Sequence, residues 1–217
     1  MLGATLEDYY RARAREYDRF YQNPARQNDL ARLRAWLTDN VRDRTILEVA
    51  AGTGYWTEVA APVCKAITAT DPVWETLAFA AQRQLGSNVV LATADAYDLS
   101  QFSALFDTGM AHFWWSHIEK QRQLEFLSKF MTCLKPDALV LMIDQVYVEG
   151  ICPPMSRCDE WHNRFELRTL QNGATYEIVK NYPSDEELKA SFAQFVRDVQ
   201  IMRLDHFWAL SARNRAN

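Results

Sequence analysis

Between residues 45 and 147, five apolar runs too short to be helices alternate with stretches of helical spacing, and this alternation constrains the fold more than any other feature. The runs are 45–49 (TILEV), 66–70 (AITAT), 88–93 (NVVLAT), 106–113 (FDTGMAHF) and 138–147 (ALVLMIDQVY). Helical patterns occupy about 55–63, 73–85 and 120–134, and Lys135-Pro136-Asp137 closes the last of them. Strands separated by helices specify βαβ units, right-handed crossovers and a mostly parallel sheet buried on both faces.

The flanks read differently. Residues 5–22 and 24–40 have helical spacing, with Leu30, Leu33, Trp36 and Leu37 on one face. Residues 151–172 are polar, aromatic and irregular, an excursion from the sheet. Residues 174–180 alternate as a strand, Ser184-Asp185-Glu186-Glu187 opens a helix, and 198–212 read as a final strand. The end of the chain is therefore expected to form an antiparallel hairpin at one sheet edge.

With 217 residues, 48% of them hydrophobic, the chain suits one core. Its net charge of -4 and lack of a Lys/Arg run argue against a nucleic-acid partner. Cys64, Cys133, Cys152 and Cys158 form no CxxC pair or zinc spacing, so free thiols and no metal are expected. There is no apolar leader and no run of the ~20 residues that spans a bilayer, so a cytoplasmic protein without a membrane partner is expected.

The chemistry concentrates where Leu47-Glu48-Val49 runs into Ala50-Ala51-Gly52-Thr53-Gly54 and a helix. Small residues let a ligand approach the backbone, and the helix offers free N–H groups. Asp71, before Pro72, ends the second strand, where a carboxylate can accept both hydroxyls of a ribose. Asp95, before Ala96 and Tyr97, ends the third and can accept an adenine amino group.

On these residues the chain resembles the class I S-adenosylmethionine-dependent methyltransferases. LEVAAGTGYWT is similar to the family's glycine motif, ATDP to its ribose position, TADAYDL to its adenine position, and LKPDALVLMID to the approach to strand five. Ala50 stands where the family has its first glycine. The resemblance implies S-adenosylmethionine as cofactor, with Gly52 and Gly54 beside its amino-acid part, Glu48 at its amino group, Asp71 and Pro72 at the ribose, and Asp95 and Ala96 at the adenine. It also implies that the N-terminal helix, similar to a Tyr-x-x-x-Ala-x-x-Tyr-Asp pattern, is a lid carrying Tyr9, Tyr10, Arg13 and Tyr17, with Tyr17 at the cofactor. The expected fold is a Rossmann-like α/β seven-stranded, mostly parallel sheet with an antiparallel edge hairpin, helices on both faces and that lid. It forms one domain over 1–217: lid helices 1–43, cofactor core 44–150, substrate loop and edge strands 151–217.

On the substrate side, His112 and Phe113 should face the reactive methyl, and Trp114 and Trp115 offer a flat wall. His112, His117 and Tyr10 are the catalytic candidates, because an unshifted histidine titrates near neutrality. Tyr9, Tyr10, Trp114, Trp115, Tyr147 and Trp161 are the substrate candidates. The run from Arg168 to Tyr182 resembles methyltransferases of toxin and antibiotic pathways that alkylate nitrogen heterocycles, the toxoflavin-pathway N-methyltransferase among them. Together these imply a small-molecule methyltransferase of secondary metabolism, monomeric or homodimeric, whose acceptor is a planar heterocycle or other aromatic, methylated on nitrogen in preference to oxygen. An RNA or protein methyltransferase and a nicotinamide-dependent oxidoreductase remain the alternatives.

Overall fold

The computed structural model describes residues 5–102 and 106–215, so the first four residues of the expected lid lie outside it. The apolar runs become β1 (Thr45–Val49), β2 (Ala66–Asp71), β3 (Val89–Thr93), β4 (Phe106–His112) and β5 (Leu134–Gln145). With β9 (Val196–Arg203) and β10 (Phe207–Asn214) they form a seven-stranded sheet in the order β3-β2-β1-β4-β5-β10-β9. The first five strands are parallel; β10 runs antiparallel to both β5 and β9.

Alternation along the central strands feeds two cores. Val140 and Met142 of β5 join Trp208 and Leu210 of β10 beneath α5 (Gln123–Thr132) and α6 (Asp185–Phe192). Leu139, Leu141 and Ile143 point the other way, onto α2 (Gln27–Val41) and α3 (Tyr55–Ala60) through Leu33, Leu37 and Trp56. Each such fully buried side chain contributes roughly 1.5–3 kcal/mol.

Three expectations about the elements need correction. The stretch 5–22 is not one helix. Thr5 and Asp8 form a capping box that starts α1 (Leu6–Arg13), after which Ala14–Gln22 continue as a 3₁₀ helix. Its threefold period puts Ala14, Tyr17 and Phe20 on one face. Residues 198–212 are not one strand: a turn at 204–206, closed by Leu204 N–H to the Phe207 carbonyl, folds the stretch into the β9–β10 hairpin. Residues 174–180 consequently take no part in the main sheet. β8 (Thr175–Val179) pairs with β7 (Arg164–Thr169), and β7 with β6 (Met155–Cys158), in a separate three-stranded sheet built from the supposedly irregular excursion.

That small sheet is bolted to the large one. Lys180, directly after β8, is buried with its Nζ 3.1 Å from Asp144 Oδ1 of β5 and 2.7 Å from Ser116 Oγ. Asn181 donates its N–H to the Ser116 carbonyl. Removing one partner of such a buried pair typically costs about 3–5 kcal/mol.

Candidate functional site

Because β1 to β5 are parallel, their carboxyl ends share one edge, and the order reverses between β1 and β4. Crevices at such reversals are where open α/β sheets bind ligands. A cavity of about 380 Å³ opens there. Of the residues picked from sequence, Tyr10, Tyr17, Ala50, Gly52, Asp71, Pro72, Asp95, Ala96, His112, Phe113, Trp114 and His117 line it.

The turn after β1 is held by Asp71. Its Oδ2 accepts the Gly52 N–H at 2.9 Å; its Oδ1 accepts the Val73 N–H at 2.9 Å and the Thr76 hydroxyl at 3.1 Å. Burial raises the Asp71 pKa, and these bonds oppose the rise. Ala50 and Phe113 both line the cavity with φ of 57°, a left-handed conformation that costs a non-glycine residue about 1–3 kcal/mol. Two ligand-facing turns thus carry strain that the sheet on either side enforces. Gly52 shares that φ, and a Cβ there would meet no protein atom within 4 Å.

The N-terminal segment closes the cavity. Asp18 accepts the Thr53 hydroxyl at 2.7 Å and pairs with Arg83, whose Nε donates to the Thr53 carbonyl at 2.6 Å. The Tyr10 hydroxyl lies 2.9 Å from His117 Nε2, and His117 Nδ1 lies 2.7 Å from the Val179 carbonyl. A carbonyl only accepts, so Nδ1 carries the proton and Tyr10 donates to Nε2.

Both histidines are neutral. Burial holds His112 down to about 3. Burial, with Lys180 beside it, holds His117 well below the usual histidine range. Neither is poised as a base at neutral pH. His112 keeps both ring nitrogens unpartnered, and so does the Trp114 Nε1; all three atoms are buried and belong to residues of the cavity wall. Such orphans are costly unless a ligand meets them. With the open space at Gly52 and the exposed Asp95, they fit an adenosyl cofactor.

Six candidates lie elsewhere. Glu48 is buried behind the turn, accepts the Thr57 hydroxyl at 2.6 Å, and is raised to about 8 by burial. Gly54 caps α3 against Ala80 rather than facing the cavity. Tyr9 packs with Leu170 and Ile178. Trp115 fills the core against Phe192, so it forms no substrate wall. Tyr147 packs on Tyr182 outside the cavities, and Trp161 is 55% exposed. Of the two adjacent tryptophans only Trp114 borders the cavity.

A second cavity of about 270 Å³ adjoins the first and was not foreseen. Tyr10, Tyr17, Phe113, His117 and Ile178 line both. The second also has Arg13, Arg19, Arg26, Arg168 and Lys180 in its wall and, among its described lining residues, no carboxylate. Lys180 shares a strand-period face with Ile178, which was the available signal for an inward lysine. Among the described residues no cluster of His, Cys, Asp or Glu could hold a metal, all four cysteines are free, and no helix is long and apolar enough to cross a membrane.

Comparison with known proteins agrees with this geometry. Residues 46–137 match the model of a methyltransferase domain. The structure of DhpI in complex with SAH superposes with a TM-score of 0.75 at 28% identity, covering 97% of this chain and 96% of that one. A DhpI–SAM–HEP complex gives 0.74 at 27%, covering 94% of each. The Burkholderia thailandensis 1,6-didemethyltoxoflavin-N1-methyltransferase, bound to 1,6-didemethyltoxoflavin and S-adenosylhomocysteine, shares the fold with a TM-score of 0.63 at 19% identity, covering 97% of this chain and 88% of that one. No curated protein sequence matches the chain.

Proposed function

We propose, for a chain that is a class I S-adenosylmethionine-dependent methyltransferase, that its acceptor is a small anion seated in the second cavity and methylated on oxygen. The observation that carries this reading is the shared wall of Tyr10, Tyr17, Phe113, His117 and Ile178, with a cation-lined chamber on its far side. The cofactor, when bound, supplies an electrophilic methyl on a sulfonium. Asp71, Asp95 and the Gly52 turn hold it in the first cavity. The arginines hold the acceptor in line from the second. Holding two reactants as a near-attack pair supplies roughly 7–11 kcal/mol of the barrier.

The absence of a poised base supports an oxyanion. His112 and His117 are held neutral by burial, and both His117 nitrogens are occupied. An acceptor oxygen that arrives ionised needs no proton removed. A neutral planar heterocycle, the acceptor suggested by sequence, finds less support: of the two tryptophans expected as its flat wall, only Trp114 borders the cavities. SAH is expected to bind in calorimetry and NAD not to. Incubation with S-adenosylmethionine and a panel of small phosphonates, phosphate esters and carboxylates should then yield methyl esters by mass spectrometry. Methylation confined to neutral heteroaromatic rings would overturn the anionic reading.

A further inference from the structure

The five cations of the second cavity are not equivalent. Lys180 is compensated by Asp144, and Arg168 by Glu166. Both acids are buried, at 0% and 2% side-chain exposure, so these pairs are built into the sheets. Arg13, Arg19 and Arg26 pair with no carboxylate among the described residues. Arg13 donates to the Tyr9 hydroxyl at 2.6 Å, and Arg26 to the Phe20 carbonyl at 3.3 Å with its Nε left buried and unpartnered. Burial lowers the pKa of Arg26, and Arg168 and Arg13 add to the lowering. The cavity therefore gathers like charges that repel until an anion joins them.

The uncompensated three all belong to residues 13–26, and Ala14 and Tyr17 of that segment also cover the first cavity. Nine of these residues, Ala14–Gln22, form a 3₁₀ helix, well beyond the three or four residues over which that geometry is usually sustained. A segment of low intrinsic stability thus holds charge for one chamber and the roof of the other.

We infer that the net charge recognising the acceptor resides on this N-terminal segment, through Arg13, Arg19 and Arg26, so that an anion in the second cavity and the cofactor in the first bind cooperatively by docking the same segment. The inference rests on the anionic-acceptor reading and adds a thermodynamic coupling to it. By linkage, each ligand tightens the other by the same factor.

Inorganic phosphate is a suitable probe. The SAH dissociation constant is measured calorimetrically in sodium phosphate and in sodium chloride of equal ionic strength, with wild type, Arg26→Gln, the Arg13→Gln/Arg26→Gln double variant and, as a surface control, Arg203→Gln. Phosphate is expected to tighten SAH about fivefold or more in wild type and in the control. The gain should shrink in Arg26→Gln and vanish in the double variant, with melting curves verifying that each is folded. Phosphate that binds the SAH-loaded protein but leaves SAH affinity unchanged overturns the coupling and leaves the anionic-acceptor reading standing. Coupling that survives in the folded double variant removes it from these arginines. Phosphate that does not bind at all overturns both.

Discussion

The Tyr10 hydroxyl donates to His117 Nε2 across 2.9 Å, joining the N-terminal segment to the loop after β4 at the wall shared by the two cavities. Since the Val179 carbonyl accepts the Nδ1–H, His117 is fixed in a single neutral tautomer. Protonation would set Nε2–H against the Tyr10 hydroxyl proton and add charge beside Lys180. We expect ring ¹⁵N spectra to give the Nδ1–H pattern for His117 throughout pH 5.5–8, with no titration. In Tyr10→Phe the Nε2 shift should move, because its donor is gone. A midpoint between 6 and 7 in wild type would restore His117 as a base.

The turn after β1 gives a paired test. A Cβ on Gly54, at φ of 76°, would stand 2.7 Å from the Ala80 Cβ, inside van der Waals contact. A Cβ on Gly52 would meet no protein atom within 4 Å. Gly52→Ala should cost only the left-handed penalty, about 1–2 kcal/mol, while its methyl intrudes on the cofactor cavity. Gly54→Ala pays that penalty and overpacking of about 1–3 kcal/mol besides. Denaturant unfolding should rank Gly54→Ala as the less stable, and calorimetry should rank Gly52→Ala as the weaker binder of SAH for its stability. The opposite ranking would mean that the turn faces the other way.

Much of this site was legible in the sequence, and the reason is topological. In a parallel sheet a residue that ends a strand also ends at the ligand edge, so Asp71, Asp95 and His112 could be placed by counting along the chain. The second cavity could not. Arg13, Arg26, Arg168 and Lys180 come from three distant segments, and each reads singly as a solvated charge; only folding reveals that they converge. The β9–β10 turn escaped for another reason: Leu204-Asp205-His206 contains no Gly, Pro or Asn, and Asp205 alone is a weak turn signal between two strand-forming runs. Trp115 and Trp161 were misjudged because an aromatic side chain suits a core or a surface as well as a cleft.

Glu48 makes folding stability depend on pH. Its carboxyl is raised to about 8 by burial, against an ordinary value near 4.5 in the unfolded chain. The folded state therefore holds a proton that the unfolded state has lost. The contribution is present in full below about pH 4.5 and disappears as pH rises through 8. Glu48→Gln, which keeps a neutral group beside the Thr57 hydroxyl, should match wild type at pH 5 and melt higher at pH 8.5 in the absence of cofactor. Each kcal/mol gained is worth ~2–4 °C in a chain of this size. Equal melting temperatures at both pH values would show that Glu48 ionises as freely folded as unfolded.

Asp71 carries the heaviest burden in the cofactor site, because one carboxylate closes the β1 turn and starts α4 (Trp74–Ala80). Its two oxygens accept three bonds, from the Gly52 and Val73 N–H groups and the Thr76 hydroxyl. Asp71→Asn keeps the shape but supplies only one accepting oxygen. If that oxygen stays with Val73 and Thr76, the amide NH₂ confronts the Gly52 N–H donor to donor, and the turn loses its anchor. Leaving a buried donor unsatisfied costs about 1–3 kcal/mol. The same charge is the one expected at the ribose, so SAH affinity should fall by more than the stability loss implies, roughly tenfold to a hundredfold for 1.4–2.8 kcal/mol. Asp71→Glu, which retains the charge but displaces it by one methylene, should recover part of the affinity without restoring the melting temperature. SAH binding to Asp71→Asn as tight as to wild type would leave Asp71 a structural strut and move ribose recognition to other groups of the cavity.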